Sequence, residues 1–365
     1  MKFWKKSCSL LALLWVCCGV AWAEAPSGTQ NDCKGESGRH ILWENDVFTG
    51  KLLGRSDKWY TNGIKVYNSY QPDCVPSYLP DFLEDRIKGL GDDGRYAIQT
   101  GNVVGQLMFT PKNLTISAPQ PMDRFWGGWL YAGIVAQRQP YDTQQQKGNK
   151  EELETLELDV GVTGPISGAE QVQRGIHALS NSTMPYGWGN QIKTEPGIQF
   201  NYSRIRRAWK YPDSGKPPNL DFSWHYGGAA GTLFDYVNGG FTVRLGCKLT
   251  DEAPNVIESP SIGQFRKTSD ALYVLARLDM KGVAHNTFID GSLLRKDPHV
   301  SYLSSKRIVP QFTSGIVVEW KYKDDGIEDG ARLSFLIHRR GSEFRSPDGP
   351  GAIFNFATLN VEWDL

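Results

Sequence analysis

Strict alternation of apolar and polar residues is the feature that most restricts this chain. Gly240–Leu249 reads GFTVRLGCKL. In an extended strand Phe241, Val243, Leu245, Cys247 and Leu249 share one face, and Thr242, Arg244, Gly246 and Lys248 the other. Arginine and lysine on the second face fit a polar, wet interior better than the dry core of a sandwich. The pattern recurs along the chain. Leu156, Leu158, Val160 and Val162 alternate with Glu157, Asp159 and Gly161, and Ile64 and Val66 with Lys65 and Tyr67. Near the C-terminus Leu359, Val361, Trp363 and Leu365 alternate with Thr358, Asn360, Glu362 and Asp364. Strands that are apolar on one side and polar on the other predict a membrane barrel whose lumen carries the polar face.

The first residues agree with an exported protein. Lys2, Lys5 and Lys6 precede the apolar Leu10–Val20 run, and Ala21-Trp22-Ala23 forms a small-residue cleavage site. Residues 1–23 therefore read as a secretory signal peptide, and residues 24–365 as one outer-membrane domain. No later apolar run reaches the ~20 residues that a spanning helix needs. Without the leader lysines, the 40 Lys+Arg fall slightly below the 40 Asp+Glu, a balance that suggests no nucleic-acid partner. The leader holds three of the six cysteines. Cys33 and Cys74 flank the first two strands and are candidates for a disulfide, and Cys247 stays a buried or lipid-facing thiol. The fold expected is all-β, a transmembrane antiparallel barrel of about twelve strands. Polar, Pro- and Gly-rich gaps at 71–95, 139–152, 203–220, 250–264 and 321–330 read as its loops. AEQVQRGIHALS (Ala169–Ser180) reads as a short loop helix, with good helix formers and Gly164-Pro165 just upstream.

Familiar hydrolase signatures are missing: the chain has no G-x-S-x-G, no H-E-x-x-H and no G-K-[ST]. What it has is WENDVF (Trp43–Phe48), followed by WYTNG (Trp59–Gly63). Read alone, END is a strand-end turn and YTNG a turn signal. Of six histidines, His177 stands apart because it lies on the expected helix with Gln173 one turn earlier on the same face.

Taken in order, four blocks resemble the outer-membrane lipid A 3′-O-deacylase family, that is, they are LpxR-like. They are ENDVF with DKWYTNG (Glu44–Phe48, Asp57–Gly63), and QLMFTP with DRFWGGWLYAG (Gln106–Pro111, Asp123–Gly133). Next come DVGVTGPISGAEQVQRGIH with GWGNQIKTEPG (Asp159–His177, Gly187–Gly197), and finally NTFIDG with SEFR (Asn286–Gly291, Ser342–Arg345). The resemblance implies a twelve-stranded barrel that removes an ester-linked acyl chain from lipid A with the help of Ca²⁺. It implies lipid A or lipopolysaccharide as substrate, the outer-membrane lipids as surroundings, and the barrel assembly machinery as partner during insertion. Carried over singly, it points to Asn45, Thr61 and His177 as catalytic residues and to Asp46 as metal ligand. A carboxylate and carbonyl oxygens suit a hard cation, an asparagine N–H suits an oxyanion, and a neutral imidazole suits a general base. Lys112 and Arg124, in the second block, are candidates for the lipid phosphates. The chain departs from the family where a glutamate follows the histidine by six residues: Thr183 stands there, and Glu195 is the next carboxylate.

Two other readings stay open on sequence grounds. One is a barrel of the same fold without activity. The other is an outer-membrane phospholipase using a serine beside His177, for which Ser180 and Ser182 are the nearest candidates.

Overall fold

The computed structural model describes residues 36–49, 59–70, 74–76, 79–91, 96–142, 147–148, 151–213, 216–249, 270–295, 302–324, 327–347, 349–350 and 353–364. The leader and Cys33 lie outside them.

Among the described residues, twelve long strands form one closed antiparallel barrel. They are β1 (Glu36–Asn45), β2 (Trp59–Tyr70), β3 (Tyr96–Thr110), β4 (Gly127–Asp142), β5 (Glu152–Thr163) and β6 (Pro196–Tyr211), then β7 (Leu220–Gly231), β8 (Phe234–Cys247), β9 (Ala271–Asn286), β10 (Ile308–Asp324), β11 (Ile327–Arg340) and β12 (Phe354–Asp364). Each pairs with its neighbour in sequence, and β12 pairs with β1, Leu359 opposite Trp43 and Thr358 opposite Glu44. Closure removes the free edges that hydrocarbon does not tolerate. No described helix is long and apolar enough to cross a membrane, so any crossing is by strands.

The alternation works as expected. Arg244, Thr242, Glu157, Asp159, Lys65, Thr358, Asn360 and Glu362 are buried inside, whereas Phe241, Val243, Leu245 and Val160 stand exposed on the outer wall. Inside, the charges are paired: Lys65 Nζ lies 2.8 Å from Glu157, Arg332 2.9 Å from both Glu319 and Glu362, and Arg277 2.6 Å from Asp279. Removing one member of such a pair strands the other, at about 3–5 kcal/mol, whereas replacing both with apolar residues is close to neutral. Lys65→Met should therefore lower stability by about 3–5 kcal/mol in urea unfolding from lipid vesicles, and Lys65→Met with Glu157→Leu should recover most of it. Equal losses in the single and double variants would show that the pair does not act as a unit.

The alternation fails at the end of β8. Lys248 takes φ 54°, so it leaves the inner face, and Leu249 turns into a buried cluster with Ala271, Tyr273, Leu275, Val317 and Leu336 instead of facing outward. Cys247 is exposed on the outer wall as a free thiol, and Cys74 is disulfide-bonded. The gaps also need correction, because parts of these polar, Pro- and Gly-rich stretches are strand. Ser203–Tyr211, Gln139–Asp142, Lys321–Asp324 and Ile327–Gly330 all belong to strands, and on the first of them Arg204 is compensated by Glu152 and Glu154 of β5.

The described residues 46–49, 111–126, 164–195, 232–233, 287–295, 302–307 and 341–347 lie in connections at the end away from Glu36 and Asp364. Under them, Trp59, Tyr60, Phe109, Phe288, Phe344, Phe354 and Phe356 fill the barrel mouth, with Phe109 and Phe288 only 4.1 Å apart between ring centroids. Among the described residues the mouth is packed with aromatic rings.

Candidate functional site

Register places the candidate residues. Asn45 is opposite Asn62, Asn62 opposite Met108, and Met108 opposite Gly128. Directly opposed residues share a sheet face, so these four form a row across β1 to β4. Glu44, one residue before Asn45, points into the lumen, where its carboxylate takes bonds from the Tyr60 hydroxyl and, at 3.2 Å, from Thr358. The row therefore faces outward. It is nonetheless buried, Asn45 at 8% and Met108 at 1% exposure, so something covers the outer wall here.

At the Met108–Gly128 end of the row the cover is the 164–195 excursion. Gly164 (φ 69°) and Gly168 (φ 70°) both take the left-handed conformation that favours glycine, and between them the chain makes a tight turn before α1, Ala169–Ser180, begins. Met108 packs with Ala169, Trp126, Leu114 and Trp188 beneath that helix, and Gln106 Nε2 donates to Ser167 O at 2.7 Å. A Cβ on Gly128 would collide with Ser167 and Ala169, so the glycine lets the helix seat against the wall. Gly128→Val should push the helix off its seat. Because angstrom-scale misplacement of a catalytic group can cost about 10²-fold, we expect activity to fall by about that much while heat-modifiable gel mobility stays normal. Full activity would show that this seating is not needed.

The buried stripe of α1 is Ala169, Gln173 and His177, as its spacing predicts. Gln173 accepts a bond from the Trp188 indole at 2.7 Å. After the helix, Asn181 at φ 53° reverses the chain, Ser182 N donates to His177 O at 2.9 Å, and the Thr183 carbonyl returns to 2.5 Å from His177 Nδ1. A carbonyl only accepts, so Nδ1 carries the proton and Nε2 is left as the basic nitrogen. Position 183 thus orients the imidazole through its main chain, which a threonine supplies as well as any residue. Glu195 takes no part in this: it pairs with Ser292 and Arg295. Ser180 bonds Ile176 O at 2.9 Å and Ser182 at 2.8 Å, both within the helix end.

The two N-terminal motifs meet on the wall. YTNG is strand and not turn: Thr61 is the extra residue of a bulge between Tyr60 and Asn62, and its hydroxyl lies 2.7 Å from that of Thr110. Bulges re-aim a side chain. Asn62, which sequence reasoning passed over as a turn residue, accepts from Trp43 Nε1 at 2.8 Å and from Asn45 Nδ2 at 3.1 Å. The indole fixes the Asn62 oxygen, and that oxygen fixes which end of Asn45 is the donor. Asp46 has no exposed surface and opens a 3₁₀ turn, its carbonyl accepting from Thr49 Oγ1 at 2.7 Å. A wholly buried carboxylate calls for positive charge or donors around it. No three His, Cys, Asp or Glu gather into a metal cluster among the described residues.

Lys112 and Arg124 differ. Lys112 is exposed, and only its backbone N–H is tied, to Asp123 at 2.8 Å. Arg124 is 1% exposed, 2.8 Å from Glu343, with its guanidinium over the Phe109 ring. Burial pulls Arg124 below its ordinary value. Burial alone would raise Glu343, but Arg124 and Arg340 outweigh it and hold the carboxyl below the usual range. Arg124 thus fastens the 111–126 loop to the barrel mouth. Asp123, also unforeseen, fixes the same loop by accepting from Trp59 Nε1 at 2.9 Å.

A family model described as outer membrane protein LpxR matches residues 9–365. The chain belongs to the LpxR family. Among solved structures, LpxR from Salmonella typhimurium is similar in fold, with 18% identity, a TM-score of 0.67, and coverage of 90% of this chain and all of that one. The beta domain of the Bordetella autotransporter BrkA covers 90% of this chain and 98% of its own at 7% identity, but its TM-score of 0.38 carries no argument. No curated protein matches by sequence. Membership in this family makes the barrel an integral outer-membrane protein; the row from Asn45 to Gly128 lies on the outer face of its wall.

Proposed function

We propose that the protein is a lipid A deacylase, which hydrolyses an ester-linked 3′-acyloxyacyl chain. The observation that carries this reading is a histidine-bearing helix seated on β3 and β4 at the Met108–Gly128 end of a buried, outward-facing row that begins with Asn45 and Asn62, on the outer face of a wall that a membrane lipid reaches without leaving the bilayer. His177, held with Nε2 basic, takes a proton from water as that water attacks the ester carbonyl. Asn45, oriented by Asn62, donates an N–H to the developing oxyanion, a contact typically worth ~3 kcal/mol. The Thr61 hydroxyl, aimed by the bulge, positions the water. Hard oxygen donors suit Ca²⁺: the Asp46 carboxylate would hold the ion with main-chain and hydroxyl oxygens nearby, and the fully buried setting of that carboxylate fits a counter-charge. When bound, Ca²⁺ supplies Lewis-acid polarisation of the ester carbonyl.

Exposed Lys112 is the cation suited to a lipid A phosphate. Arg124 was the second candidate, but its commitment to Glu343 gives it a structural part instead. Lys112→Glu should raise KM several-fold and leave kcat nearly unchanged, since only ground-state binding is lost. An unchanged KM would remove the contact.

The deciding assay gives the purified protein lipid A and phospholipid in separate vesicles, with Ca²⁺ or a chelator, and follows products by mass spectrometry. Loss of one acyloxyacyl chain from lipid A, stopped by chelation, is the expected result. Acyl loss from phospholipid alone would make the protein a phospholipase, and no loss from either would make it an inert barrel.

A further inference from the structure

Helix α1 has three distinct flanks. The stripe against the wall, Ala169, Gln173 and His177, is partly polar. Val172, Ile176 and Leu179 recur at i, i+4 and i+7 and form a second stripe, turned roughly 90° from the first. The opposite flank is charged, with Glu170 and Arg174 3.1 Å apart. In a helix packed on a water-soluble protein the apolar stripe would face the protein. Here only Val172 does so, packing against the Met108 cluster, while Leu179 is 51% exposed. The turn before the helix adds Ile166, 67% exposed.

The wall beside the helix shows what meets this stripe. Ala169 stands on Gly128, and two residues along β4 on the same face is Leu130. The next row holds Val160, and Ile198 lies beside it on β6, both about half exposed. These belong to the outward apolar band of the barrel. The seat of Ala169 on Gly128 thus lies two residues along β4 from the first residue of that band, which brings the start of the helix to its edge.

We propose that Ile176, Leu179 and Ile166 rest among the acyl chains of the bilayer, so that α1 is an interfacial helix with Glu170 and Arg174 at the headgroup level. Lipid acyl chains are its partner. A lipid diffusing laterally then reaches the seam between helix and wall with its tails already in hydrocarbon. The inference rests on the barrel's membrane setting and not on the proposed chemistry, so it is tested without an activity measurement.

Nitroxide labels on Leu179→Cys and, separately, Arg174→Cys, each with Cys247→Ser, report depth in reconstituted phospholipid bilayers. Molecular oxygen concentrates in hydrocarbon and a nickel chelate in water. At 179 we expect oxygen collisions to exceed nickel collisions several-fold, with the ratio inverted at 174. Nickel access at 179 equal to that at 174 would place the stripe in water and overturn the proposal. Exclusion of both reagents from 179 would mean that protein covers it, and would overturn it equally. Should the Leu179 variant lose heat-modifiable mobility, Ile176→Cys takes its place with the same expected ratio.

Discussion

His177→Ala should lower lipid A hydrolysis by about 10²–10⁴-fold, the range for loss of a general base, while the barrel stays folded. The separation follows from placement. His177 lies on α1, outside the strand ladder, and the helix keeps its seat through Ala169 on Gly128, Gln173 on Trp188 and Gln106 on Ser167. Thr183→Ala should change little, since the orienting atom is a main-chain oxygen. A His177→Ala variant that works at near wild-type rate would sink the mechanism. The serine alternative would then need Ser180 to leave its bonds to Ile176 and Ser182.

Asp46→Ala should abolish activity and the response to Ca²⁺ together. Several kcal/mol of carbonyl polarisation correspond to roughly three orders of magnitude in rate. The local turn should survive, because Thr49 bonds the main-chain carbonyl of Asp46 and not its carboxylate. Calcium binding measured by calorimetry gives a reading that does not depend on turnover. Loss of heat in Asp46→Ala with heat retained in His177→Ala is the expected pair of results. Retained calcium binding in Asp46→Ala would place the ion elsewhere.

The barrel was legible because its signal is local. Each strand states its own two faces in alternate residues, and closure follows once every edge must be paired. The helix was legible for the same reason: Ala169–Ser180 has its formers, its glycines and its histidine within one stretch. What escaped depends on register and on long-range partners. Asn62 is a turn-type residue by composition, and its role comes from standing between Trp43 and Asn45 on another strand. Gly128 matters because a helix far along the chain rests on it. Arg124 looked like an exposed cation, and it is buried because Glu343 comes from a connection more than two hundred residues away. The strand ends read as loops because their composition is polar; on Ser203–Tyr211 that polarity is met by the strand alongside, where Glu152 and Glu154 compensate Arg204.

The paired charges of the lumen also govern how the sheet assembles. A slip of one residue between β2 and its neighbours would turn Lys65 out toward hydrocarbon and leave Glu157 inside alone. The same slip at β11 would carry Arg332 away from Glu319 and Glu362. An apolar-lined barrel would tolerate a shifted pairing as a slightly poorer fit. In this one a shifted pairing is prohibitive, so each ion pair checks the alignment of strands that meet from distant parts of the chain. The fidelity of insertion is thus carried by the least hydrophobic residues of a membrane protein.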